Sequence, residues 1–355
     1  FGSGDVPEYV LKHTGGELTL TASNVGFELG HLRAYGPVKA LGIDGGHVRI
    51  DDGRYMWIWH KDYDNEDNSG CIVELRSGEL EIRGGTFSSE FSDKTPADEK
   101  DDPKIYLKGG NGPALLSVTG DAAFNTPIEI ASDYTENGGK VTLSGGSFTK
   151  LVSKDTSLTI ADMLAPGYVC RDADGNQMSL ADLSTVTELE NFSVAKCEHA
   201  LKEDGGKYVC PYCNAELTVS AMQIPGGKPY YYTDLASALE GSARLSGQVL
   251  LTMLSDAKIA EQVRVTEGSY TLELNGRTLT CTVSGGNIVD ASAILVTGGE
   301  LAVRDSAGGG KVSVSADGGV GLCAVGGTLT VESGTYTADG VSSIAIALGG
   351  DGTGE

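Results

Sequence analysis

Apolar and polar residues alternate in short runs along most of the chain, and glycine punctuates the alternation at fixed offsets. The recurring phrase is Gly, any residue, apolar, any residue, apolar, two spacers, Gly, any residue, aromatic. Full copies start at Gly46 (Val48, Ile50, Gly53, Tyr55), Gly78 (Leu80, Ile82, Gly85, Phe87), Gly139 (Val141, Leu143, Gly146, Phe148) and Gly327 (Leu329, Val331, Gly334, Tyr336). Partial copies begin at Gly16 (Leu18, Leu20), Gly268 (Tyr270, Leu272) and Gly299 (Leu301, Val303), and a slipped one runs Leu116, Val118, Gly120, Phe124. The starts 16, 46 and 78 lie 30 and 32 apart, and 268, 299 and 327 lie 31 and 28 apart. A period near thirty residues therefore organises two stretches of the chain.

Alternation with period two is the mark of a strand with one buried face, and the closing glycine permits a corner that other residues resist. Each copy thus predicts one strand and one corner. A sandwich would place strands roughly every 8 to 12 residues in hairpins, whereas here an equivalent strand returns only once per period. The expected fold class is all-β, a solenoid whose coils stack about 4.8 Å apart with parallel pairing and aligned corners.

The phrase stops after Phe148 and resumes at Gly268. The expected organisation is a first solenoid segment over 1–165, a linker over 166–222 and a second segment over 223–355. Tyr232 to Glu240 reads as a short helix with Thr233 as N-cap and Leu235, Ala238 and Leu239 on one face, laid over the raw apolar end of the second segment. Both ends of the chain look cut from something longer.

Inside the linker stand Cys197, His199, Cys210 and Cys213, spaced C-x-H-x10-C-x2-C, with Gly205 and Gly206 where the loop must reverse. Tetrahedral zinc takes four N or S ligands, and a C-x2-C turn offers two thiolates to one ion while the loop returns the other pair. The spacing predicts a structural zinc knuckle; a disulfide from Cys210 to Cys213 or Cys197, or an empty relic, is the alternative. Cys71, Cys281 and Cys323 fall at inward positions and read as buried free thiols.

The stretch Leu272 to Leu279 (Leu-Glu-Leu-Asn-Gly-Arg-Thr-Leu), with the phrase Gly-Gly-x-Leu-x-Val-x-x-Gly-x-Tyr, resembles the right-handed parallel β-helix of the pectin-lyase-like superfamily. It is more closely similar to large repetitive surface proteins of bacteria. The Cys-His cluster resembles the Cys-x-His…Cys-Pro-x-Cys modules interspersed in those proteins, with Asn214 where glycine often follows the last cysteine. The resemblance implies two right-handed β-helical segments joined by a zinc-knuckle-like module, displayed at the cell surface or outside the cell. Its expected role is non-catalytic, as a stalk or adhesin, with a glycan or another host or cell-surface ligand as partner. The fold also hosts polysaccharide lyases and glycoside hydrolases, which is the alternative.

Charge narrows the partners. The 355 residues carry 26 basic and 49 acidic side chains, a formal net charge of -23, which repels nucleic-acid phosphates and anionic membrane surfaces. No apolar run approaches the roughly 20 residues of a membrane span. The 51 glycines show no every-third-residue rule, which excludes collagen.

Two insertions follow the closing aromatics Tyr55 and Phe87 and should emerge side by side. The first holds both tryptophans. Tyr55, Trp57, Trp59, His60, Asp62 and Asp64, with Asp101 from the second insertion, form the candidate ligand face: flat aromatics flanked by carboxylates suit stacking on sugar rings. Core packing of Trp57 and Trp59 is the bland alternative. The Asp62 to Asp67 run offers oxygens for calcium but lacks the ordered spacing of a calcium loop, so a solvated loop is expected. No nucleophile, phosphate loop or cofactor fingerprint marks a catalytic residue.

Overall fold

The computed structural model describes residues 8–21, 31–35, 38–58, 70–90, 104–110 and 112–349. Over these residues the chain is all-β, and its three helices are short: Ile160–Met163, Leu180–Leu183 and Leu235–Ser242. It divides into two units, Phe1–Cys197 and Glu198–Glu355.

In the first unit the copies of the phrase lie side by side, parallel and in register. Strand Glu17–Leu20 pairs with Lys39–Ile50, which pairs with Val73–Ile82, then Ala114–Asn125, then Lys140–Ser153. Leu18, Val48, Leu80, Leu116 and Val141 make one row; Leu20, Ile50, Ile82, Val118 and Leu143 make the next. Every member except the half-buried Leu18 is buried. Parallel pairing repeats the same apolar position on each strand, and the alternation turns that position inward each time.

The opening glycine is a steric requirement. Gly46 and Gly78 adopt φ +73° and +89°, and a Cβ on either would lie 2.6 Å from the carbonyl oxygen of the preceding copy's glycine, Gly16 and Gly46 respectively. Only glycine tolerates both the left-handed backbone and that approach.

The closing aromatics form a continuous stack. Tyr55, Phe87, Phe124 and Phe148 follow one another with ring centroids 4.9 Å apart, and Phe192 adds a fifth ring at 4.8 Å. Phe192 comes from Glu188–Lys196, which runs antiparallel to Lys140–Ser153 and ends the parallel ladder. The segment expected as the start of the linker is therefore part of this unit, with Cys170, Leu183, Phe192 and Val194 in its core. A search for a thirty-residue period does not find it, because an antiparallel closing strand need not repeat the phrase.

The second unit contains three parallel ladders. Gln248–Met253, Ser269–Glu273, Glu300–Arg304 and Thr328–Val331 form one. Ala257–Ile259, Thr278–Cys281, Lys311–Val314 and Thr335–Ala338 form the second, and Val263–Val265, Ser292–Val296, Val320–Ala324 and Ile344–Leu348 the third. Each strand pairs with the one three strands later, and Leu272, Val303 and Val331 share a row as the phrase requires.

The helix expected before this unit exists, shifted by two to three residues. It spans Leu235–Ser242, and Asp234 rather than Thr233 caps it, accepting the Ser237 N–H at 2.7 Å. Tyr232 instead ends the strand Tyr230–Tyr232. Leu235, Ala238 and Leu239 pack into the unit's core, as their common face predicts.

Candidate metal centre

Between Cys197 and Cys213 the chain builds its own scaffold. Lys202–Asp204 and Lys207–Val209 pair antiparallel across Gly205 and Gly206, whose φ values of +58° and +83° suit the two-residue turn that follows strand twist. The C-x2-C segment then closes on itself: the Asn214 N–H donates to Cys210 O at 2.9 Å, and the Cys210 N–H donates to Ala215 O at 2.9 Å. Asn214 adopts φ +57°. Asparagine is among the few non-glycine residues that enter this region readily. An ion pair from Lys207 to Glu216 at 3.0 Å and a hydrogen bond from the Leu217 N–H to Tyr208 O at 2.8 Å tie the hairpin to the chain that follows.

This scaffold brings the predicted ligands together. One ligand atom each from Cys197, His199, Cys210 and Cys213 lies within 4.8 Å of all the others, and Cys213 Sγ is 3.4 Å from His199 Nδ1. Around a zinc ion with Zn–S bonds near 2.3 Å, tetrahedral ligand atoms stand roughly 3.8 Å apart, so the cluster has the dimensions and donor set for one. Cys210 is buried and the other three are half-buried. Hydrogen bonds to the Cys210 and Cys213 sulfurs raise the His199 pKa to about 9, against the opposing effect of burial. A cation at the centre would replace that proton and bind the sulfurs as thiolates. With four protein ligands the tetrahedron is complete, which is the chemistry of a structural site. No other group of three or more such side chains converges among the described residues.

None of the seven cysteines forms a disulfide. Cys71, Cys281 and Cys323 are buried as expected, and Cys170 joins them.

The expected ligand face is corrected at two positions. Tyr55 and Trp57 have no exposed surface. Tyr55 stacks on Phe87 and its hydroxyl donates to Asp52 O at 3.1 Å, while the Lys104 amine sits 3.9 Å from the centroid of the Trp57 ring. The two rings do share a face, as their spacing predicts, but it is the inward one, so neither can stack on a sugar. Trp59, His60, Asp62, Asp64 and Asp101 lie outside the described residues, and so does the Asp62 to Asp67 run considered for calcium.

One cluster has no signature in the sequence. Glu74, 1% exposed, is met by Lys39 Nζ at 2.9 Å, Arg76 Nε at 3.1 Å, Lys108 Nζ at 2.7 Å and the Tyr9 hydroxyl at 2.7 Å. Burial alone would raise the Glu74 pKa, but donation from Lys108, Tyr9, Lys39 and Arg76 outweighs it and holds the carboxyl at about 2.

No protein-family model, curated protein or solved structure matches this chain. No helix among the described residues is long and apolar enough to cross a membrane.

Proposed function

We propose that this chain is a non-catalytic display module, two right-handed parallel β-helical units with a zinc-closed Cys-His hairpin, serving outside the cell or on its surface as a stalk or adhesin. The observation that carries the reading is the parallel pairing of the phrase's apolar positions, copy against copy, within each of the two units. Crossovers between parallel strands of one sheet are almost always right-handed, which supports the handedness. Repetition of one strand and corner builds length and a rigid surface, and the four-ligand Cys-His site is suited to folding rather than turnover. A glycan is the proposed partner, with Trp59, His60, Asp62, Asp64 and Asp101 as the residues to engage it.

The test has two parts. Surface labelling of intact producing cells with an antibody to the chain should be positive, and glycan-array binding should fall on Trp59→Ala. Release of unsaturated or reducing sugars from acidic polysaccharides by the purified chain would overturn the non-catalytic reading.

A further inference from the structure

The Glu74 cluster borders a cavity of about 490 Å³ in the first unit, lined among others by Lys39, Cys71, Tyr106 and Lys108. Parallel register produces this neighbourhood: Glu74, Tyr106 and Glu129 are partners on three successive strands and form one row. The volume falls within the range of small-molecule sites.

Among the described residues, the charges at this cavity do not balance. A buried carboxylate needs compensation, yet Glu74 receives three cations, Lys39, Arg76 and Lys108. Glu8 is the second carboxylate in reach, 3.0 Å from Lys39 and 3.8 Å from Arg76, and its side chain is 58% exposed. Glu129 is taken by Lys154 at 2.8 Å. Among the described residues these cations exceed the carboxylates by one positive charge, and Lys12, 5.2 Å from the Tyr9 ring centroid, adds another nearby. This surplus occurs in a chain whose net charge is -23. Lys108 is the cation placed to use it: its side chain is 48% exposed, and its ammonium, which carries three donors, meets Glu74 as an ion pair at 2.7 Å.

We propose that this cavity binds the anionic oxygen group of a small ligand, a carboxylate or a phosphate, with Lys108 as the direct contact and Lys39 supplying further positive charge. The bound anion completes the compensation that Glu74 and Glu8 leave unfinished. Tyr106, 5.4 Å below the Lys108 amine, borders the same space with an aromatic ring that suits the body of a ligand behind its charged group. The proposal depends on the first unit alone and stands independently of the display role and of the metal centre.

Titration calorimetry on the full chain at constant ionic strength tests it, with acetate, inorganic phosphate and glucuronate as probes and glucose as the neutral control. The expected result is saturable binding of at least one anion with a Kd of about 1 mM or tighter, and no heat from glucose. Lys108→Met should weaken binding at least about tenfold, and Lys108→Arg, which keeps the charge, should hold it within about threefold. Binding of acetate or phosphate identifies a free anion as sufficient; binding of glucuronate alone identifies an acid group carried on a sugar ring. Absence of binding by all three anions would overturn the proposal. So would a Lys108→Met chain, folded by circular dichroism, that binds as the wild type does.

Discussion

The rings of Tyr55 and Phe87 stack with centroids 4.9 Å apart and planes 13° apart, a spacing close to that of the strands that carry them. Phe87 is flanked on its other side by Phe124 at the same distance. Removing its ring opens a gap inside a continuous row, with neighbours held by backbone pairing and unable to close it. Phe87→Ala should destabilise the first unit by about 3–5 kcal/mol, and Phe87→Leu, which keeps most of the volume, by considerably less. Denaturant midpoints of the two variants provide the check; equal small losses would mean that the row is not part of the stable core.

Gly42 lies beneath the Tyr9 ring, and a Cβ there would overlap Tyr9 Cε1 and Cδ1. Gly42→Ala should therefore push Tyr9 away from Glu74 and cost about 1–3 kcal/mol. Because the cost arises from one clash, it should shrink in a Tyr9→Ala background, and a double-mutant cycle measures the coupling.

Asn214 can be probed from both sides. Its φ of +57° suits glycine at least as well, so Asn214→Gly should leave zinc binding and stability nearly unchanged. A β-branched residue resists this region, and Asn214→Val should cost about 1–2 kcal/mol, read as weaker competition with a zinc chelator. Zinc content measured by mass spectrometry should approach one ion per chain in reduced, metal-replete protein. It should fall to zero in Cys210→Ser/Cys213→Ser.

Acid should weaken the first unit through Glu74. Its native pKa of about 2 lies below the ordinary 4.5, so the stabilisation from its partners is complete above about pH 4.5 and is lost as pH falls towards 2. Glu74→Gln should remove that part of the pH dependence and lower stability at neutral pH, because three cations lose their common partner. Urea midpoints at pH 7, 4 and 3 give the slope for both chains.

Cys71, Cys170 and Cys281 should be unreactive in the folded protein. Burial raises each thiol to about 12, and each is 0–1% exposed. An aromatic disulfide reagent should modify them at the rate of unfolding, whereas Cys197 and Cys213, half-buried, should react first in metal-free protein and be protected by zinc.

The amino-acid sequence by itself determined what depends on local chemistry repeated at a fixed interval. The alternation specified strands, the glycines specified corners, and the period told which residues would share a row, even for the slipped copy at Leu116. The convergence of Cys197, His199, Cys210 and Cys213 was legible for the same reason, since a C-x2-C turn and a two-glycine reversal are short-range devices.

The tertiary structure decided what depends on strand phase and on partners far apart in the chain. Tyr55 and Trp57 had to share a face, but whether that face pointed to water or to the core was set by how the corner at Gly53 restarts the alternation after Ile50. Glu74 collects Lys39 from 35 residues before it and Lys108 from 34 after it, a meeting made only by stacking successive strands. Phe192 joins the aromatic row from an antiparallel strand that obeys no repeat. Each of these outcomes follows from long-range registry, which burial and backbone pairing select together and which no local window of residues contains.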